Sequence, residues 1–204
     1  MKILLVGGAG YVGSELALSL INLNHEVIIN DLKIYKVNFP KYKNLKIIKG
    51  DIRDISKLEK VLNKNIDIVI HLACISNDPS YELNPRLGKS INYDYFEKLL
   101  KVCRRNNILR FIYASSSSVY GVKNKKDVVE TDTTKPLTDY SKYKLKCEKK
   151  LLKYKKYFPV VIVRPATVCG FSIRQRLDLS VNILTNFAYF KNKILIFGGN
   201  QLRP

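Results

Sequence analysis

Cysteine is scarce in this sequence, and its spacing is irregular. The 204 residues contain four cysteines, which lie far apart at Cys74, Cys103, Cys147 and Cys169. Zinc sites and redox motifs use cysteine pairs at short, fixed spacings, and disulfide frameworks occur in short, cysteine-dense secreted chains. The pattern therefore argues against both and predicts free thiols that are buried or partly buried.

Long apolar runs are absent as well. No stretch reaches the roughly 20 residues that a helix needs to cross a bilayer. Met1 and Lys2 lead straight into an apolar segment that is too short for the core of a signal peptide. We therefore expect no membrane partner and a cytoplasmic location.

Acidic residues are few, because 17 carboxylates stand against 36 lysines and arginines, for a formal net charge of +19. Such an excess would suit nucleic-acid binding through release of counterions from phosphates. The lysines are scattered, however, and the densest run, Lys142 to Lys156, alternates with leucines as the solvated face of an amphipathic helix does. We expect no nucleic-acid partner, and a positive field that attracts an anionic substrate such as a nucleotide sugar.

Short apolar runs alternate with amphipathic stretches along the whole chain, whose length suits one well-buried domain. Runs rich in Ile and Val without polar alternation are typical of strands buried on both faces. The pattern predicts an α/β fold with a doubly wound parallel sheet and a ligand crevice at the carboxyl ends of its strands. The predicted strands are Lys2–Val6, Glu26–Asn30, Lys46–Lys49, Ile66–His71, Arg110–Ala114, Val160–Val163 and Ile194–Phe197. The predicted helices are Tyr11–Leu23, Ile55–Asn63, Pro85–Asn106, Asp139–Tyr157 and Leu179–Lys191.

A glycine-rich turn follows the first predicted strand and opens the first predicted helix. It contains Gly7, Gly10 and Gly13. The early glycines permit a tight turn and close approach of backbone amides to a pyrophosphate, which then lies at the positive end of the helix dipole. Gly13 allows the helix and strand to pack closely. The turn therefore predicts a dinucleotide site.

Asp31 stands at the end of the second predicted strand. A carboxylate there can accept hydrogen bonds from both ribose hydroxyls, and its charge repels a 2′-phosphate. The expected cofactor is therefore NAD rather than NADP, although Lys33 lies two residues further on.

A tyrosine four residues before a lysine occurs three times, at Tyr42/Lys46, Tyr140/Lys144 and Tyr189/Lys193, so the spacing alone is weak evidence. Only Tyr140 and Lys144 begin a helix that follows a strand ending in serines. An ammonium one helical turn away, together with a positive nicotinamide ring, favours the phenolate, so we expect a lowered pKa for Tyr140. Tyr140 could then take a proton from a substrate hydroxyl while Ser116 holds that oxygen in line.

In these features the chain resembles the extended short-chain dehydrogenase/reductase family, and within it the NAD-dependent sugar epimerase/dehydratase branch typified by UDP-glucose 4-epimerase. The resemblance covers essentially the whole chain. It is carried by Gly7 to Gly13, Asp31, Gly50-Asp51-Ile52-Arg53, His71-Leu72-Ala73-Cys74, Asn92, Tyr113-Ala114-Ser115-Ser116, Val119-Tyr120-Gly121, Tyr140 to Lys144 and Arg164-Pro165. It implies a Rossmann fold over residues 1–204.

The resemblance also implies roles for individual residues. Ser116, Tyr140 and Lys144 match the catalytic residues, and Asp51 and Ile52 would contact adenine. Asn92 would support the helix of the active site. The cofactor-binding set is Gly7, Gly10, Tyr11, Val12, Gly13, Asp31, Asp51, Ile52, Leu72, Ala73, Cys74, Asn92, Tyr140, Lys144 and Pro165; the substrate-binding set is Ser76, Ser116, Asn182 and Arg203.

Two departures from the family pattern matter. Sugar 4,6-dehydratases carry an Asp-Glu pair directly after the catalytic Ser/Thr, whereas this sequence has Ser117 and Ser118, so dehydration is not expected. Family members also continue beyond the point where this sequence stops, so the C-terminal substrate-binding part is expected to be largely absent. The last residues resemble the start of a segment whose arginine, here Arg203, grips a nucleotide diphosphate.

The resemblance implies an NAD-dependent epimerase that acts on a nucleoside-diphosphate sugar through a 4-keto intermediate. A C4 dehydrogenase or a 4-ketoreductase would use the same residues, and an NAD-binding module without turnover is a further alternative. A homodimer formed through the helices at Pro85–Asn106 and Asp139–Tyr157 is also implied.

Overall fold

The computed structural model describes residues 1–63, 65–123 and 127–196. Its six strands are β1 (Lys2–Val6), β2 (Glu26–Asp31), β3 (Leu45–Lys49), β4 (Ile68–His71), β5 (Arg110–Ala114) and β6 (Val160–Val163). They form one parallel sheet in the order β3-β2-β1-β4-β5-β6. This confirms the predicted doubly wound parallel sheet.

The helices of the described residues alternate with these strands. They are α1 (Tyr11–Asn22), α2 (Ile55–Leu62), α3 (Asp78–Glu82), α4 (Pro85–Lys89), α5 (Phe96–Arg105), α6 (Asp139–Leu152) and α7 (Ser180–Lys191). A π-helical turn, Ser90–Asp94, joins α4 to α5, and a 3₁₀ turn, Ser117–Tyr120, follows β5. The stretch Pro85–Asn106, predicted as one regular helix, is therefore interrupted. A π turn inside a helix is a feature that often marks a functional position.

Two apolar clusters hold the sheet between its helix layers. On one face, side chains of β1 and β2 such as Leu5 and Ile29 pack with α1. On the other, Leu4 and Ile28 pack with α2, α5 and α6. Alternate residues of β1 and β2 are thus buried on opposite faces, which explains why these strands read as continuous apolar runs.

The chain reverses its direction of travel across the sheet between β1 and β4. From β1 it runs outward to β2 and β3, and then crosses back to add β4 on the other side of β1. In such sheets the crevice at the carboxyl ends of the strands at this reversal is the ligand site. Here these ends are Val6 and His71, which pair directly.

The seventh predicted strand, Ile194–Phe197, is wrong for residues 194–196, which have no regular secondary structure; Phe197 lies outside the described residues. A strand needs a hydrogen-bonded neighbour. In the described part of the chain β6 ends the sheet.

All four cysteines are free, as expected. Cys103 and Cys147 are buried and Cys74 is partly buried, but Cys169 is exposed, contrary to expectation.

Candidate active site

The glycine-rich turn needs its glycines for reasons visible in the backbone. Gly7 has a φ of +82°, and a Cβ on it would lie 2.5 Å from the backbone nitrogen of Ala73. A Cβ on Gly13 would lie 2.6 Å from the Cα of Gly8. Gly10 is the N-cap of α1 and brings no capping side chain, so the first turn of α1 presents its backbone amides. The turn therefore fits a pyrophosphate at the positive end of α1.

Replacing Gly13 by alanine is expected to destabilise the protein by about 1–3 kcal/mol through overpacking and to weaken NAD binding. Gly10→Ala is the comparison for stability, because its Cβ would meet only the Gly7 carbonyl oxygen, at 3.3 Å. Urea unfolding and titration calorimetry with NAD measure the two effects. An equal or larger loss of stability in Gly10→Ala would mean that close packing at Gly13 does not shape the turn.

Asp31 ends β2 with its carboxylate turned towards the glycine-rich turn. One oxygen accepts the Ala9 N–H at 3.1 Å, and the other accepts the Lys33 N–H at 2.7 Å. Each carboxylate oxygen keeps a further lone pair, so the group can still accept hydrogen bonds from a ribose. This position fits the predicted role.

Asp51 and Ile52 follow β3, and the structure gives them different environments. The Arg53 guanidinium donates hydrogen bonds to both carboxylate oxygens of Asp51, at 3.0 and 2.5 Å. These hydrogen bonds lower the pKa of Asp51. Ile52 is buried in the core. Their predicted contact with adenine stays a prediction.

The segment after β4 is fixed by backbone bonds and by a buried amide. Leu72 and Ala73 both donate their N–H groups to the Val6 carbonyl, at 2.8 and 2.9 Å. Asn92, in the π turn, accepts the Ile75 N–H at 2.8 Å and donates to the Ile75 carbonyl at 3.1 Å. Asn92 therefore holds the loop after β4 beside the crevice, and Cys74 lies within that loop.

Ser116, Tyr140 and Lys144 lie together where β5 ends and α6 begins. A capping box between Thr138 and Ser141 starts α6 just before Tyr140. Lys144 is 3% exposed; its Nζ donates to the Ala114 carbonyl at 2.7 Å and lies 5.8 Å from the centre of the Tyr140 ring. Ser116, two residues after Ala114, accepts the Ser118 N–H at 3.2 Å. The structure thus brings the three residues together, and their catalytic roles stay predictions.

The prediction of a lowered pKa for Tyr140 is wrong as far as the effects of the protein's own residues are concerned. Burial raises the pKa of Tyr140, and this outweighs the opposing effects of the Lys144 charge and the Ser116 hydrogen bond. Burial acts to lower the pKa of Lys144, but interactions with neighbours that include Cys74 and Tyr140 outweigh this effect. The pKa of Lys144 is therefore raised, and the ammonium form is kept. The charge of Lys144 favours the Tyr140 phenolate, but it does not by itself offset the desolvation of the phenol.

A buried ion pair behind these residues was missed by sequence reasoning. The carboxylate of Glu148, 2% exposed, accepts hydrogen bonds from Arg164 at 3.0 and 2.7 Å and from the Ser115 hydroxyl. Arg164 also donates to the Tyr120 hydroxyl at 2.8 Å. The ion pair joins α6, the end of β5, the 3₁₀ turn and the end of β6. The sequence did contain one signal of a buried carboxylate, because Glu148 lies one helical turn after Lys144 on the same face of α6.

The remaining predicted residues lie around α1 and the segment after β6. Asn182 donates to the Tyr11 hydroxyl at 3.0 Å and accepts the Gly170 N–H at 3.0 Å, so it fastens this segment to α1.

The Ser76 hydroxyl accepts from Arg176 at 2.8 Å. Val12 is exposed on the first turn of α1, and the Pro165 carbonyl accepts the Ser117 N–H. The substrate contacts of Asn182 and Ser76 stay predictions, and Arg203 lies outside the described residues.

Within the described residues, no group of three potential metal ligands is assembled. The same part of the chain contains no helix that is both long enough and apolar enough to span a bilayer.

The doubly wound sheet and the glycine-rich turn are typical of dinucleotide-binding proteins, and Ser116, Tyr140 and Lys144 lie at the same edge of the sheet. Residues 3–204 match the model of the NAD dependent epimerase/dehydratase family. The chain belongs to this family, which confirms NAD as the cofactor.

Individual relatives agree with this assignment. The chain is 35% identical to the uncharacterized UDP-glucose epimerase YtcB of Bacillus subtilis, covering 98% of this chain and 66% of that protein. It is 33% identical to the dTDP-D-glucose 4,6-dehydratase of Dictyostelium discoideum, covering 83% and 44%. The structure of UDP-glucuronic acid 4-epimerase from Bacillus cereus with UDP-glucuronic acid and NAD superposes with a TM-score of 0.82 at 32% identity, covering 100% and 68%.

The chain spans between 44% and 68% of the length of eight curated relatives that it matches.

Proposed function

We propose that this chain is the NAD-binding part of an epimerase-like oxidoreductase that acts on a nucleoside-diphosphate sugar through a 4-keto intermediate. The observation that carries the proposal is the buried Lys144 ammonium beside Tyr140, at the carboxyl end of β5 and thus at the same edge of the sheet as the glycine-rich turn. UDP-sugar epimerases among the relatives and solved structures support the substrate class. As a partner we propose a second copy of the chain, through α4, α5 and α6.

The residues of the chain divide the work of proton transfer. Tyr140 accepts the proton of the sugar 4-hydroxyl, and Ser116 hydrogen-bonds that oxygen so that the proton faces the phenol. Lys144 stabilises the phenolate against the cost of its burial. NAD, when bound, supplies a hydride acceptor for C4 and can return the hydride. Rotation of the keto sugar between the two transfers would give the epimer.

A C4 dehydrogenase or a 4-ketoreductase remains the alternative, since it needs the same three residues. A 4,6-dehydratase is disfavoured, because Ser117 and Ser118 occupy the positions of the expected Asp-Glu pair. The related Dictyostelium dehydratase shows that family membership does not decide this point. The absence of dehydration is therefore part of the proposal.

The test is to incubate the purified protein with UDP-glucose or UDP-galactose and a small, fixed amount of NAD. We expect many molecules of epimer for each NAD, with no net NADH. Stoichiometric formation of NADH would instead assign a dehydrogenase. A 4-keto-6-deoxy product would assign a dehydratase, and tight NAD binding with no product would assign a module without turnover.

A further inference from the structure

A cavity of about 110 Å³ lies beside Tyr140 and has no role in the chemistry described so far. Its walls come from α3, the start of α4 and the N-terminal end of α6. Because Tyr140 forms part of its wall, a group that enters the cavity lies next to the proposed proton acceptor. The lining residues are Asp78, Tyr81, Glu82, Pro85, Thr138, Asp139 and Tyr140.

Two of these side chains carry a buried oxygen that has no hydrogen-bond partner among the described residues. They are Oδ1 of Asp78 and the hydroxyl of Tyr81, a residue that is 2% exposed. Their neighbours are engaged, since Asp139 pairs with Lys142 at 3.2 Å and Thr138 caps α6. Buried polar groups without partners are rare in folded proteins and cost stability. Both belong to residues that line the same cavity, which indicates that the polar groups of a ligand there complete the bonding.

The charges of the lining residues restrict the chemistry of that ligand. Asp78, Glu82 and Asp139 are acidic, and the described lining includes no lysine or arginine. Such a wall repels phosphate and accepts hydrogen bonds from neutral donors such as hydroxyl groups. The sugar of a nucleotide sugar therefore suits the cavity, whereas the diphosphate does not.

We propose that Asp78 is a specificity-determining residue, whose carboxylate accepts a hydrogen bond from a second hydroxyl of the sugar that is held at Tyr140, with Tyr81 in the same wall. The inference rests on the proposed function and deepens it. A site built to bond a substrate hydroxyl rejects the analogue that lacks it, because the protein group is then left buried and unpaired. The subsite would therefore select sugars that carry this hydroxyl.

The test compares UDP-glucose with its 3-deoxy and 6-deoxy analogues, with NAD present. For the unmodified protein we expect kcat/KM to fall about 10- to 100-fold on one of the two analogues. Asp78→Ala should lower kcat/KM for UDP-glucose and discriminate little between it and that analogue. Asp127→Ala is the matched control, because Asp127 is an exposed loop residue. It should discriminate as the unmodified protein does.

A second variant separates recognition from folding. Tyr81→Phe removes a hydroxyl that bonds to no described residue, so we expect no loss in melting temperature and a weaker selection for the sugar hydroxyl. If Asp78→Ala keeps full discrimination, or if the unmodified protein does not discriminate between the three sugars, the subsite is wrong while the proposed function stands. If none of the three sugars binds or turns over, the proposed function fails, and the subsite with it.

Discussion

Tyr140→Phe is expected to lower turnover about 10²- to 10⁴-fold, the usual contribution of a positioned proton acceptor or donor, while NAD affinity changes little. The reason lies in the contacts of Tyr140. The ring is buried and fills the same space in either residue, whereas the hydroxyl is the group near Ser116 and the Lys144 ammonium. Steady-state rates with a UDP-sugar, and calorimetry with NAD, separate the two effects.

Tyr143→Phe is the matched control, because Tyr143 lies on the same helix but packs against Tyr93 and Tyr81, with ring centres 5.1 and 6.1 Å away. Its loss of a hydroxyl should leave both rate and NAD affinity close to those of the unmodified protein. Equal losses of NAD affinity and turnover in Tyr140→Phe would contradict a catalytic role and make the residue part of the cofactor site alone.

The sheet was predictable because its inner strands β1, β2 and β4 are largely buried on both faces. Leu4 and Leu5 point to opposite sides of β1 and are both fully buried, so the sequence shows an apolar run that polar residues do not interrupt. The same reasoning failed at residues 194–196. An apolar run predicts a strand only where a neighbouring strand can pair with it, and that depends on the arrangement of distant segments.

The candidate site was predictable where its chemistry follows local spacing, as for Gly7 to Gly13 and for Tyr140 with Lys144. It was not predictable where distant segments meet. Arg164 and Glu148 find each other only after β6 and α6 pack together. The pKa of Tyr140 depends on how deeply the phenol is buried, which the spacing of Tyr140 and Lys144 does not reveal.

The short helix α3 was missed although its start signal was present. Asn77 caps it by accepting the Ser80 N–H at 2.8 Å, and Pro79 lies in its first turn. Five residues are too few to show a helical period, so the signal could not be confirmed from the pattern. The place of Asp78 beside Tyr140 therefore came from the structure.

Glu148→Gln is expected to be the most destabilising of the conservative substitutions considered, at about 3 kcal/mol, because it leaves a partly buried guanidinium without its counter-charge. The side chains of Glu148 and Arg164 are 2% and 18% exposed. The pair Glu59–Arg105 has the same shortest distance, 2.7 Å, but is 35% and 62% exposed. Glu59→Gln should therefore cost at most about 1 kcal/mol.

Urea unfolding of both variants, with the double variant Glu148→Leu/Arg164→Met, separates charge from packing. Apolar residues of similar volume can replace a buried ion pair with little loss, so the double variant should recover most of the stability that Glu148→Gln loses. Equal costs for Glu148→Gln and Glu59→Gln would show that the buried pair does not fasten α6 to β5 and β6. In that case backbone hydrogen bonds alone would hold Ser115, and the neighbouring Ser116, in place.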